Sequence, residues 1–174
     1  MMESVNSYMS LFADDAKLLK KVESAEDCGT LQEDLNKISE WSYRWEMEFN
    51  LKKCKVIEFG KSRRVKGNYV LNGVRLSEAE EEKDLGVTVT ENLTPERHIS
   101  RITGETCNLL RRIRQAFAYM DEEMVRKMTV SLIRPRLEYA AVVWSPYKKK
   151  DMRKLGESSE SSYEDGTKYQ GLVI

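Results

Sequence analysis

Val5-Asn6-Ser7-Tyr8-Met9-Ser10-Leu11-Phe12-Ala13-Asp14-Asp15-Ala16-Lys17-Leu18-Leu19-Lys20-Lys21-Val22 is the stretch on which the fold turns. Apolar residues flank two adjacent aspartates, and aspartate favours turns because its short carboxylate bonds to nearby backbone N–H groups. The stretch predicts a strand-turn-strand hairpin with Asp14 and Asp15 at its tip, against a competing local reading as a helix from Lys17 onward. Two carboxylates held together repel, and a divalent cation between them relieves the repulsion. The plain alternative is an ordinary turn.

Working outward, residues 26–45 place Cys28, Leu31, Leu35, Ile38 and Trp45 at helical spacing, with Ser24 as the N-cap and Asp27 in the first turn. Residues 54–59 read as a strand ending at Gly60, and Asn72-Gly73 between apolar residues signals a hairpin because both turn positions need φ > 0. Residues 83–90 supply another strand, with Gly86 as a bulge or a close backbone approach. After Pro95 the period is helical again, through Ile99, Ile102, Thr106, Leu109, Ile113, Phe117 and Met120. Asp121 caps a following helix that meets Pro135, and a last apolar stretch, 137–144, stops at Ser145-Pro146. The order predicts an α+β fold, an antiparallel sheet with one packed helix followed by a small helical subdomain. The expected division is 1–94, 95–154 and an acidic, Ser-rich tail, 155–174, expected to be disordered.

The whole chain has 174 residues with 29 Lys and Arg balancing 29 Asp and Glu, a composition that excludes the disordered, collagen-like and disulfide-scaffold classes. Its 3 cysteines are odd in number and lack C-x-x-C spacing, so neither a disulfide framework nor a zinc knuckle is expected. The first residues show no basic leader, and the longest apolar run, 139–144, falls far short of the ~20 residues of a membrane span. An intracellular location, nuclear or cytoplasmic, and no membrane partner are expected. The charge is uneven: residues 95–154 carry 14 basic groups against 7 acidic ones, whereas residues 1–94 carry 14 against 18, which marks the helical region as the basic one.

Four motifs in order carry a resemblance to a known family. Phe12-Ala13-Asp14-Asp15 is followed by Phe49-Asn50-Leu51-Lys52-Lys53-Cys54, by Glu82-Lys83-Asp84-Leu85-Gly86-Val87, and by the run S-L-I-R-P-R-L-E-Y-A-A-V-V-W-S-P at 131–146. Together they resemble the [F/Y]-x-D-D box, later palm motifs and thumb of reverse transcriptases of non-long-terminal-repeat (LINE-type) retrotransposons. The resemblance implies a partial polymerase palm followed by a thumb-like region. It implies template-directed transfer of deoxynucleotides from their triphosphates to a primer 3′-OH, on an RNA/DNA template-primer duplex, with two Mg²⁺ ions roughly 3.5–4 Å apart.

On that resemblance Asp14 matches the metal-binding aspartate, Asp15 its less direct neighbour, and Lys53 the lysine facing the incoming triphosphate, with Asn50 shaping the turn before it. Leu85, Gly86 and Val87 match the hairpin that grips the primer end. Arg101, Arg111, Arg112, Arg114, Arg126, Lys127, Arg134, Arg136, Lys148, Lys149 and Lys150 are the basic residues expected to follow the duplex backbone, with Arg111, Arg112, Arg114, Lys148, Lys149 and Lys150 as the binding residues. The family also needs an earlier palm aspartate and fingers, whereas the residues before Asp14 hold a single acid, Glu3. The expectation is a truncated copy that is inactive alone, because positioning and charge neutralisation supply most of this catalysis. Residues 155–174 do not resemble the family's continuation.

The alternative is a transposon-derived module that binds nucleic acid or protein without catalysis. Lys53 also reads as a solvated lysine, and the basic residues as ordinary solvated helix faces. His98, the lone histidine, is expected at the surface; Trp41, Trp45 and Trp144 are expected in the core, with the 8 methionines filling gaps.

Overall fold

The computed structural model describes residues 5–60, 65–117 and 119–160, with the side chains of 158–160 outside that description. The chain divides into two compact units, Met1–Glu80 and Glu81–Ile174, whereas the sequence placed a boundary at 94.

The first unit opens with strands β1 (Tyr8–Phe12) and β2 (Asp15–Leu19), paired antiparallel from Tyr8 against Leu19 to Phe12 against Asp15. The predicted hairpin is present and the competing helix is not. Helix α1 (Ala25–Arg44) follows, and its start is a capping box: Ser24 Oγ accepts from the Asp27 N–H at 3.2 Å while the Asp27 carboxylate accepts from the Ser24 N–H at 3.0 Å. The helix ends in a Schellman motif, in which the Met47 N–H reaches the Ser42 carbonyl at 2.9 Å and the Glu46 N–H that of Tyr43 at 3.3 Å. That closure puts Glu46 at φ 54°, where glycine is usual, and the chain then turns away. Trp45 is consequently 64% exposed, not in the core as its spacing suggested.

Asp34 on α1 ties the hairpin to the helix. Its buried carboxylate accepts from the N–H of Asn6 at 2.9 Å, the N–H of Ser7 at 2.7 Å and the Ser7 hydroxyl at 2.7 Å, with the Lys37 ammonium at 3.2 Å. Two positions earlier, Gln32 makes a matched pair with the backbone of Val70, its amide nitrogen donating to the Val70 carbonyl and its oxygen accepting from the Val70 N–H, both at 2.8 Å. These bonds place β4 (Val70–Leu71) beside α1, and Tyr69, Leu71 and Leu76 bury themselves with Leu31, Leu35, Phe49 and Val56.

Strand β4 pairs antiparallel with β5 (Val74–Arg75) through Asn72 at φ 49° and Gly73 at φ 75°, the tight turn that the dipeptide predicted. The strand expected over 54–59 forms only at β3 (Lys55–Val56), which runs parallel to β6 (Ser77–Glu78). Among the described residues the strands pair only two by two, so the α+β class holds while the expected single antiparallel sheet does not.

The second unit begins with a further hairpin, β7 (Glu81–Asp84) and β8 (Val87–Thr90), in place of the one strand expected over 83–90. Leu85 at φ 43° and Gly86 at φ 87° form its turn, so Gly86 is a turn residue and not a bulge. Helix α2 (Glu96–Ala116) buries Ile99, Ile102, Thr106 and Leu110; it ends before Phe117, whose extended backbone leaves the predicted stripe.

Beyond it, α3 (Glu122–Met128) starts at the Asp121 cap, whose carboxylate accepts from the Met124 N–H at 2.7 Å, and passes through a π turn (Thr129–Ile133) into α4 (Arg134–Glu138). The helix was expected to stop at Pro135. It continues because the wider turn, with the Arg134 N–H donating to the Thr129 carbonyl, relieves the clash of the proline ring with the preceding turn. Helices α5 (Ala141–Trp144) and α6 (Lys149–Glu160) complete the unit. Residues 155–160, assigned to a disordered tail on composition, continue α6, and the rest of that segment lies outside the described residues. Val87, Ile99, Ile102 and Trp144 form the core, with Leu137, Ala140, Ala141 and Leu155 packed on it. Among the described residues no helix is long and apolar enough to cross a membrane.

Candidate functional site

Two hairpin turns, one in each unit, hold Asp14, Asp15, Leu85 and Gly86 of the residues singled out by sequence. In the first, the loop of the β1–β2 hairpin is the dipeptide Ala13-Asp14, with Ala13 at φ 51°. Cross-strand partners share a face, so Asp15 lies on the side of Phe12 and Tyr8, opposite Met9, which is buried. Asp14 and Asp15 are both exposed. Lys53 sits on an exposed turn whose closure is the Asn50 carbonyl, which accepts from the N–H of Lys53 at 2.9 Å and of Cys54 at 3.2 Å. Among the described residues no hydrogen bond or ion pair joins Lys53 to Asp14 or Asp15, and no three His, Cys, Asp or Glu side chains converge as a metal centre.

The second turn, Leu85-Gly86, is held from outside. Tyr139 donates its hydroxyl to the Leu85 carbonyl at 3.0 Å; Arg101 donates Nη2 to the Gly86 carbonyl at 2.6 Å and Nε to Thr88 Oγ1 at 3.0 Å. A Cβ on Gly86 would stand 3.0 Å from the Tyr139 ring, so close packing as well as φ requires glycine. Gly86, His98, Arg101, Arg136 and Tyr139 line an open groove beside this turn.

His98 is 1% exposed, which corrects its expected surface position. Its ring packs at 5.0 Å and 53° against Trp144, and its Nδ1 accepts from the Thr88 N–H at 3.1 Å. Burial first, and then the Arg101 guanidinium, hold the imidazole below the usual histidine range, with Glu105 acting in the opposite sense. A folded value below the unfolded 6.5 means the unfolded chain binds the extra proton, so this contribution is full above 6.5 and is lost as pH falls through the folded value. Urea midpoints of the second unit should therefore drop between pH 7 and 5.5, with a slope of at most about 1.4 kcal/mol per pH unit. His98→Gln should remove that slope, and an unchanged slope would assign it to other groups.

The basic residues do not form one patch. Arg111, Arg112 and Arg114 are exposed towards the C-terminal end of α2, with Arg111 bonded to Asn108, and Arg112 is turned about 100° from Arg111 around the axis. Lys148 and Lys150 lie at the opposite end, on Glu96, the first residue of α2, with Lys148 at 3.7 Å; Lys149 is exposed. The hydrogen bond from Lys150 to Glu96 holds the Glu96 carboxyl below, and the Lys150 ammonium above, its ordinary range. From 96 to 111 a helix rises about 22 Å, so the two groups cannot meet on a single phosphate.

Sequence reasoning missed Tyr139, and counted Arg101 only among the basic residues of the helical region, not as a holder of the turn. The signal for that second role is the i,i+3 spacing of Arg101 from His98, which puts both side chains on one helix face.

The chain is 35% identical over 95 residues to the "RNA-directed DNA polymerase from mobile element jockey" of Drosophila funebris and 32% identical over 96 residues to the protein of the same description from Drosophila melanogaster. Each match covers 54% of this chain and 10% of the relative, so the chain spans about a tenth of the length of these curated relatives. No family model matches, and no solved structure does. Over about half its length, then, this chain is similar to an RNA-directed DNA polymerase of a mobile element, a reverse transcriptase of the kind that the motifs around Asp14 and Leu85 resemble.

Proposed function

We propose that this chain is a piece of the RNA-directed DNA polymerase of a non-long-terminal-repeat retrotransposon, its first unit contributing part of the palm and its second the palm hairpin that grips the primer followed by the thumb, and that it does not polymerise alone. The observation that carries the reading is the hairpin that sets Asp14 and Asp15 side by side at an exposed tip, in a chain whose similarity to such polymerases extends over 54% of its length. In this reading Asp14 is the metal-binding carboxylate, Asp15 its neighbour and Lys53 the group facing the triphosphate.

Two adjacent carboxylates do not fit a two-Mg²⁺ centre by themselves, because each ion takes several oxygen ligands and no third acid joins the pair among the described residues. The remaining carboxylate, and the surfaces that hold template and nucleotide, belong to another segment of the polymerase. The contribution of this chain is grip. The Leu85-Gly86 turn meets the primer end, while Arg111, Arg112 and Arg114 at one end of α2 and Lys148, Lys149 and Lys150 at the other face separate backbone phosphates.

Primer extension on poly(rA)/oligo(dT) with Mg²⁺ tests the reading. The full chain is expected to incorporate no nucleotide above background while binding the duplex with an affinity that falls as salt rises. Incorporation abolished by Asp14→Ala would overturn the inactivity, and absence of binding at low salt would overturn the grip.

A further inference from the structure

Among the described residues two tight turns share one handedness. Asn72-Gly73 and Leu85-Gly86 both hold two consecutive residues at positive φ, at 49° and 75° in the first and 43° and 87° in the second. Asparagine is suited to that backbone because its short polar side chain bonds locally; leucine is not, and rarely adopts it. Leucine adopts positive φ again at Leu93, at 52° on an exposed turn, so the angle alone marks no site; what sets Leu85 apart is that its surroundings over-determine the backbone. The surroundings of Leu85 do so from two helices. Tyr139, at the end of α4, donates to the Leu85 carbonyl at 3.0 Å, and Arg101, on α2, donates to the Gly86 carbonyl at 2.6 Å.

The support is itself anchored. Arg101 is fixed by Thr88 and by Glu105 at 2.9 Å, and the carbonyl of Tyr139 accepts from the indole of buried Trp144 at 2.7 Å. The side chain presented by this arrangement is 40% exposed, although the next residue, Val87, is in the core.

We propose that Arg101 and Tyr139 are positioning residues for the Leu85-Gly86 turn, holding both its carbonyls so that the Leu85 side chain stays presented to the recessed end of a nucleic-acid duplex. The proposal rests on the reading of this chain as a palm and thumb piece of a polymerase. Neither side chain touches the ligand; each acts through the turn.

The test uses the full chain with two fluorescently labelled RNA/DNA hybrids of equal length, one with a recessed 3′ end and one blunt, and begins with the parent. A parent preference for the recessed hybrid is expected. Tyr139→Phe keeps the ring against Gly86 and removes only the hydroxyl; it and Arg101→Gln should reduce that preference about 3- to 10-fold, which corresponds to roughly 0.7–1.4 kcal/mol. Arg101→Lys should restore part of it by reaching one carbonyl. The melting temperature of Tyr139→Phe should stay within a degree or two of the parent, which separates positioning from a merely structural role. A parent preference that both variants retain in full would overturn this proposal and leave the palm and thumb reading standing. A parent that binds neither hybrid would overturn both.

Discussion

Asp34→Ala is expected to destabilise the first unit by about 3–5 kcal/mol, a large part of what a small domain has. The carboxylate is inaccessible to solvent and accepts from the N–H groups of Asn6 and Ser7 and from the Ser7 hydroxyl. Alanine leaves these donors without a partner in a part-buried cleft, at about 1–3 kcal/mol each for those that water does not reach. Urea unfolding measures the loss, and hydrogen exchange at the Asn6 and Ser7 amides locates it; exchange unchanged at those two amides would refute the anchor. Burial pushes this carboxyl up, but the Ser7 hydroxyl, the Asn6 and Ser7 N–H groups and Lys37 together outweigh it and hold the carboxyl below its ordinary 3.8. A lowered folded value means that the stabilisation is fully present above 3.8 and is lost as pH falls through the folded value. Asp34→Asn, which keeps one acceptor, should lose less than alanine and abolish that acid dependence.

Trp144→Ala is expected to cost the second unit about 3–5 kcal/mol, the range for removing a large aromatic from a core. Trp144 is 5% exposed among Val87, Ile99 and Ile102, stacks obliquely on His98, and donates its indole N–H to the Tyr139 carbonyl. The loss should therefore reach the β7–β8 hairpin: amide exchange at Val87–Thr90 should accelerate together with global unfolding. Trp144→Phe, which refills most of the cavity and lacks the indole N–H, should cost less and show whether the Tyr139 carbonyl needs its donor. A cost under about 1 kcal/mol for alanine would mean that the surrounding helices collapse onto the gap.

Elements governed by neighbours in sequence were legible before the fold was. Ser24 and Asp27 announce α1 because a capping box is complete within four residues, and Asn72-Gly73 announces its turn because the two residues alone tolerate the backbone. The aspartate pair was read as a hairpin tip for the same local reason, and it is one. The turn at Leu85 was not legible from its own residues, since leucine disfavours it and the groups that enforce it lie at positions 101 and 139. The resemblance to polymerases implied a hairpin there where the local pattern implied a strand, and the hairpin is what forms. His98 stands at i,i+4 spacing from Ile102 on the buried face of α2, a position its polar ring disguised in the sequence, and the later Trp144 ring packs against it. The basic residues share a sign of charge, but a straight helix keeps Arg111 and Lys150 at opposite ends.

The pairing of Gln32 with Val70 has a consequence for how the first unit behaves at high concentration. A strand of two residues normally offers its free side to any extended chain that approaches, the geometry from which intermolecular sheets grow. Here a side-chain amide occupies that side as a strand would, satisfying the N–H and the carbonyl of Val70 together. Gln32→Leu would keep the apolar part of the side chain and reopen that margin, converting a self-limited ladder into one that another copy of the chain could extend.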